Sequence, residues 1–161
     1  MSAFQEIYEA YGKPVYRFLL ALSGDETMAE ELLQETFYQA FCHVDQFEGR
    51  CSEYTWLCQI GKNAWLKECR RRRWFEDHAL EDLTLPDRTP GPEESSIRRD
   101  QYQRTRRAIY HLEDPYKDIL ILHLYGGLKL KEIAAAYGKT ESWARVTYYR
   151  ARRRIIEEVQ P

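Results

Sequence analysis

Gly138, set between two helical apolar stripes, places the tightest constraint on what this chain can fold into. Upstream, Leu130, Ile133, Ala134 and Tyr137 recur three and four residues apart, which lines them along one face of a helix. Glycine supplies a left-handed residue without steric cost where that helix must stop, and Thr140 can cap the next one. Downstream, Ala144, Tyr148, Ala151 and Ile155 form a second inward stripe, leaving Ser142, Arg145, Val146, Tyr149 and Arg153 outside. A short helix, a turn with glycine and a second helix with a basic, aromatic outer face form the pattern of a nucleic-acid-binding helix-turn-helix. Residues 128–155 hold eight Lys or Arg against Glu132 and Glu141. Basic runs such as Arg150 to Arg154 are commonly no more than solvated helix faces, and it is the two-helix spacing that turns the reading toward DNA. Trp143 and Tyr149 can be satellite core residues, but Trp143 is read as outward, against DNA backbone or a neighbouring helix, because an exposed tryptophan without a partner surface is costly.

The net charge of −2 conceals blocks of opposite sign. Residues 1–61 carry 3 positive and 10 negative groups, whereas residues 62–73 carry 6 and 1. Residues 75–97 are acidic again, with seven carboxylates and one Arg. Two separated basic patches suggest two separate contacts with a polyanion.

The apolar rhythm is helical from end to end, no alternating strand pattern appears, and the chain is expected to be all-α. Residues 4–22 carry apolar positions at helical spacing, interrupted by Gly12 and Pro14, which predicts one kinked helix or two short ones. Asp25 can cap an amphipathic helix running to about His43, with Ala29, Leu32, Leu33, Thr36, Phe37, Ala40 and Phe41 inward and Glu30, Glu31, Gln34 and Glu35 outward. That acidic face suits either solvent or a protein partner. Residues 45–52 read as a loop, and a long helix follows over 54–74. There Leu57, Ile60 and Ala64 point inward, and Gln59, Lys62, Asn63, Arg70 and Arg73 share another face with Trp56, Trp65 and Trp74 interleaved. Aromatic rings among basic and amide groups suit unstacked bases, and the alternative is that the tryptophans pack the core. From 75 to about 96 the pattern collapses around Pro86, Pro90, Gly91 and Pro92, a flexible acidic linker. The division is therefore 1–74 and 97–161, two small helical domains. In the second, Ile97, Tyr102, Thr105, Ile109 and Leu112 line a first helix, and Asp114-Pro115 opens another to about Tyr125.

Cys42, Cys51, Cys58 and Cys69 contain no CxxC pair and fall in helical stretches, so reduced, mostly buried thiols are expected rather than a zinc site or a disulfide framework. No signal-peptide pattern opens the chain and no apolar run approaches eighteen residues, which predicts a soluble cytoplasmic protein.

Two runs are more specific than periodicity. Gly24-Asp25 followed by AEELLQETFYQAF, then DQFEGRCSEYTWLCQIGKN and a basic helix end, resembles region 2 of the extracytoplasmic-function sigma factors of bacterial RNA polymerase. LYGGLKLKEIAAAYGKTESWARVTYYRARRRI resembles their region 4, in the same order across a variable linker. The resemblance implies that Glu31, Gln34 and Glu35 bind the clamp of the core polymerase. It implies that the loop from Phe47 through Ser52 to Tyr54 captures a flipped base of the minus-10 element, and that Lys62, Asn63, Arg70 and Arg71 meet the duplex edge. Unstacking a base costs a few kcal/mol, which contacts to the separated strand would offset. It further implies that the helix bearing Ser142, Trp143, Arg145, Val146, Tyr149, Arg150 and Arg152 enters the major groove at minus-35. Trp143, Val146 and Thr147 stand where many relatives have Thr, Ser and Arg, implying a different minus-35 preference, and Pro115 lies two residues after the usual place of a proline in region 4.

The expected partners are core RNA polymerase at its clamp and flap, promoter DNA in duplex and single-stranded form, and an anti-sigma factor. No cofactor, metal or small-molecule substrate is expected. A free-standing helix-turn-helix regulator would account for residues 128–155 but leave 25–73 without a purpose. A small Cys/His enzyme finds no nucleophile motif around His43, His78, His111 or His123.

Overall fold

The structure is a computed structural model that describes residues 3–75 and 93–159. Among them no strand occurs. Most of the stretch read as a linker lies outside the described residues. The elements are α1 (Ala3–Ser23), α2 (Glu26–Cys42), a 3-10 turn (Val44–Gln46) and α3 (Glu53–Phe75), then α4 (Glu93–Tyr110), α5 (Tyr116–Leu120), a π turn (Ile121–Tyr125), α6 (Leu130–Ala136) and α7 (Glu141–Val159).

The first unit is a three-helix assembly of α1, α2 and α3. Pro14 does not divide α1, which runs as a single helix. Burying Val15, Phe18, Leu19 and Leu22 on one face supplies roughly 1.5–3 kcal/mol per side chain, more than the roughly 3 kcal/mol that an internal proline costs. Gly24, at φ +70°, turns the chain after α1, and its N–H reaches the Leu20 carbonyl at 2.7 Å. Asp25 then caps α2, accepting from the Thr27 N–H at 2.9 Å. The inward face of α2 is as expected except for Phe41, which is 60% exposed and meets Phe4 edge to face at 5.2 Å. It lies at the open end of the α1–α2 pair, where α3 does not reach.

In the second unit, Leu112 is buried just after the end of α4, and Pro115 stands just before α5. The helix continues from α5 through the π turn to Tyr125, near the expected end. After α6, the Tyr137-Gly138-Lys139 turn has the form the glycine implied. Gly138 lies at φ +66°, Lys139 N–H bonds Ala134 O at 2.9 Å, Gly138 N–H bonds Ala135 O at 3.1 Å, and Thr140 Oγ1 accepts from Trp143 N–H at 3.1 Å.

The two units share one apolar core: Leu22, Trp65, Leu66 and Cys69 of the first are continuous with Ile109, Leu112, Ile121 and Leu122 of the second. The C-terminal end of α1 is closed by α4, where Tyr102 Oη donates to Ala21 O at 3.3 Å and Arg106 Nη2 donates to Leu22 O. A cation at the C-terminal carbonyls of a helix also meets the negative end of its dipole. Trp65 is buried, so for this residue core packing is the answer.

The cysteines are free, and their burial divides them. Cys58 and Cys69 are buried and burial pushes both thiols up to about 12, Cys51 is half-buried, and Cys42 is exposed. The expectation of mostly buried thiols thus holds for two of the four. Iodoacetamide at neutral pH is expected to modify Cys42 first, Cys51 more slowly, and Cys58 and Cys69 only in denaturant, because the thiolate is the nucleophile. Peptide mass spectrometry against time reads this, and equal rates at Cys58 and Cys42 would contradict the packing.

Candidate nucleic-acid interface

The residues singled out from the sequence occupy three places. The first is a groove of about 760 Å³ between α2 and α3. Glu31 and Glu35 form its α2 wall, Asn63, Lys67 and Arg71 its α3 wall, and Leu32, Ile60 and Ala64 lie along it. The walls differ in sign because one helix is acidic on its outer face and the other basic. Gln34 is exposed on α2 next to the groove. Glu35 is steadied by Gln39, whose Nε2 donates at 2.8 Å. On the opposite wall Arg71 forms a two-pronged pair with Glu68 at 2.6 and 3.1 Å, and these bonds hold the Glu68 carboxyl below its ordinary range.

The second place is the loop before α3. Gly49 (φ +75°) turns it, and Phe47 packs edge to face on Trp56 at 4.9 Å. Ser52 caps α3, its Oγ accepting from the Thr55 N–H at 3.1 Å. Of the residues expected here, Ser52, Asn63, Arg70 and Arg71 are exposed and Phe47 is half-buried. Tyr54 and Lys62 are placed differently: both turn toward the second unit. Tyr54 stacks on Tyr11 at 6.3 Å and donates to Gly126 O at 2.9 Å. Lys62 is 2% exposed, its Nζ lying 2.8 Å from Asp118 Oδ2 and 3.2 Å from Tyr137 Oη. Tyr137 Oη in turn donates to Asp118 at 2.7 Å. Burial pushes the Asp118 carboxyl up, but the Lys62 ammonium and the Tyr137 hydroxyl outweigh it and the net direction is down. Burial, with Asp118 beside it, drives the Tyr137 hydroxyl well above its usual range. Asp118 was not visible as a partner of Lys62 in the sequence, because 56 residues separate them and nothing local links two helices of different units.

The third place is α7. Ser142, Arg145, Val146, Tyr149, Arg150 and Arg152 are all exposed, as the stripe of Ala144, Tyr148, Ala151 and Ile155 required. Arg145 pairs with Glu141 at 2.9 Å, an exposed i,i+4 contact. Trp143 departs from the outward reading: it is half-buried, packed on the core 6.1 Å from the Tyr137 ring. It therefore braces α7 on α6, a neighbouring helix. Arg154 stays exposed but leans back on the second unit, lying over the Tyr116 ring at 4.2 Å and 3.1 Å from Glu113.

Among the described residues no group of three or more His, Cys, Asp or Glu is placed to hold a metal ion. Among them, too, no helix is long and apolar enough to cross a membrane.

Comparison with known proteins follows this division of the chain. Residues 7–75 match the sigma-70 region 2 family and residues 102–155 match sigma-70 region 4. The ECF RNA polymerase sigma factor SigM of Bacillus subtilis is 28% identical over 93% of this chain and 91% of its own length. SigX of the same organism, also an ECF RNA polymerase sigma factor, is 26% identical over 92% of this chain and 79% of its own length. Among solved structures, the sigma factor RpoE of Bartonella quintana, crystallised with the anti-sigma factor NepR, superposes over 99% of this chain and 98% of its own with a TM-score of 0.62 at 21% identity, which shows a shared fold. With a region 2 unit and a region 4 unit in the family's order, the chain belongs to the extracytoplasmic-function sigma factors, the subunits with which bacterial RNA polymerase recognises promoters and initiates transcription.

Proposed function

We propose that the three places divide the work of promoter recognition among them. The groove between α2 and α3, with Glu31, Gln34 and Glu35, receives the polymerase clamp. The loop from Phe47 through Ser52 to Tyr54, with Lys62, Asn63, Arg70 and Arg71, engages the minus-10 element and separates its strands. Helix α7 reads minus-35 through Ser142, Arg145, Val146 and Tyr149, while Arg150 and Arg152 hold phosphates and Trp143 fixes the helix from behind. The observation that carries this reading is the exposed polar and basic face of α7 on a helix-turn-helix, joined in one chain to a groove with walls of opposite charge.

The protein works without a catalytic centre of its own, in the cytoplasm beside the polymerase. Its regulation is by an anti-sigma factor, a kind of partner present in the solved structure of the Bartonella quintana relative. A regulator acting on duplex DNA without polymerase would have no use for the region 2 unit matched over residues 7–75.

Run-off transcription tests the reading. Purified core polymerase with this chain is expected to yield discrete transcripts from a small subset of pooled genomic fragments, and core polymerase alone none. Glu35→Lys, which reverses an exposed charge on the groove wall, is expected to reduce both transcript yield and co-purification with the core enzyme at unchanged circular dichroism. Discrete transcripts with unaltered co-purification of Glu35→Lys would move the polymerase contact off this groove. Absence of discrete transcripts would overturn the division of labour as a whole.

A further inference from the structure

The outward face of α7 carries an apolar line down its middle. At about 100° per residue, Ser142, Val146, Tyr149 and Arg153 lie on the side of the helix away from Ala144, Thr147 and Ala151, which are buried. Arg145 and Arg152 flank this line on one side and Arg150 on the other. Val146 is 48% exposed and Tyr149 60%, and neither packs on the apolar core. Exposed apolar residues scattered singly are ordinary. Here two stand one turn apart, between cations, at the centre of the face proposed to enter the major groove. Flanking arginines reach the phosphates along the groove edges, which sets the middle of the helix against the base edges on the groove floor.

Chemistry limits what this line can read. The valine isopropyl group neither donates nor accepts a hydrogen bond, so against the acceptors of guanine or the amino group of cytosine it would strip water from a polar edge and return nothing. The apolar group that base pairs present in the major groove is the 5-methyl of thymine. We propose that Val146 and Tyr149 are specificity-determining residues that take thymine methyl groups, so that the minus-35 element of this chain holds thymine, on either strand, at one or two neighbouring base pairs. Three residues advance a helix by about 4.5 Å, close to the roughly 3.4 Å between stacked pairs, so the two side chains meet neighbouring pairs rather than the same one. This rests on the proposed reading of minus-35 by α7 and names the base chemistry that its apolar residues select.

Deoxyuridine tests it, because it replaces thymine without changing pairing or charge and removes only the methyl. Polymerase holoenzyme reconstituted with the full chain is titrated against a run-off-selected promoter in which each minus-35 thymine, on either strand, is replaced in turn. Replacement at one or two neighbouring pairs is expected to weaken binding about threefold to fourfold each, the value of one buried methyl, and replacement elsewhere in minus-35 to have little effect. Val146→Ala, an exposed change that favours the helix, is expected to bind thymine and deoxyuridine equally at one of these pairs, and Tyr149→Ala at the other. The comparison of base change with side-chain change isolates the methyl contact from any general effect of either. A wild-type chain indifferent to deoxyuridine at every position would overturn the methyl reading, as would a selected minus-35 without an A·T pair, or penalties that persist unchanged in both variants. Scrambling the whole minus-35 element distinguishes this from failure of the underlying reading. Binding lost on scrambling, with no deoxyuridine penalty, would overturn the methyl contacts and leave α7 reading by its polar residues. Binding unchanged by scrambling would overturn both.

Discussion

Phe18→Ala is expected to cost about 3 to 5 kcal/mol of folding stability, the range for truncating a buried aromatic ring. Phe18 is 2% exposed, on the α1 face that also carries Val15, Leu19 and Leu22. Its ring reaches across to the π turn, where a Cβ built on Gly126 would lie 3.5 Å from it. The ring belongs to the apolar core that the two units share, so the cavity left by alanine is walled by packed side chains and does not readily collapse. For a chain of this size the loss corresponds to a fall in melting temperature on the order of 10 °C. Urea denaturation followed by circular dichroism would report it as a lower midpoint. Leu124→Ala serves as the control, because Leu124 is 52% exposed and changes away from the core usually stay within about 0.5 kcal/mol. Comparable losses for Phe18→Ala and Leu124→Ala would mean that the core is not organised around α1.

Under the proposed reading of α7, Arg145→Ala is expected to relax preference at one or two minus-35 base pairs, by about 1 to 3 kcal/mol at each. A guanidinium near the start of a helix in the major groove can meet guanine O6 and N7 together. Glu141 holds Arg145 in the free protein at 2.9 Å, but both side chains are exposed and such pairs contribute at most about 1 kcal/mol. The pair can therefore orient Arg145 without preventing transfer to a base. Arg152 lies two turns farther along and is expected to meet phosphate, so Arg152→Ala should weaken all promoters alike. It should also flatten the dependence of log affinity on log salt by roughly one contact. A randomised minus-35 library, selected at two salt concentrations with each variant, separates the effects. Base preferences unchanged by Arg145→Ala would place the reading residues elsewhere on α7.

The sequence by itself determined whatever depends on neighbours three to seven residues apart. The Gly138 turn, the Thr140 and Asp25 caps, the exposed face of α7 and the acidic face of α2 were all legible, because helix periodicity and capping are local. Order and spacing of the two long runs carried the family. Local pattern misjudged residues whose environment comes from another element. Phe41 continues an inward stripe but extends past the helix that would cover it, and Trp143 interrupts an outward face yet leans on Tyr137. Pro14 looks like a break until the burial of Val15, Phe18, Leu19 and Leu22 on α1 is known.

Only the tertiary structure decided that Lys62 is buried and that Tyr54, half-buried, turns to the other unit. On α3 alone Lys62 is one cation of a basic face. Its partner Asp118 belongs to a helix in the other unit, and a pair this remote leaves no trace in spacing or periodicity. Charge, the signal that marked this face of α3 in the sequence, is also what holds Lys62 at the junction between the units. The carboxylate on one unit satisfies the ammonium on the other, and a linear sequence does not state which opposite charges will meet.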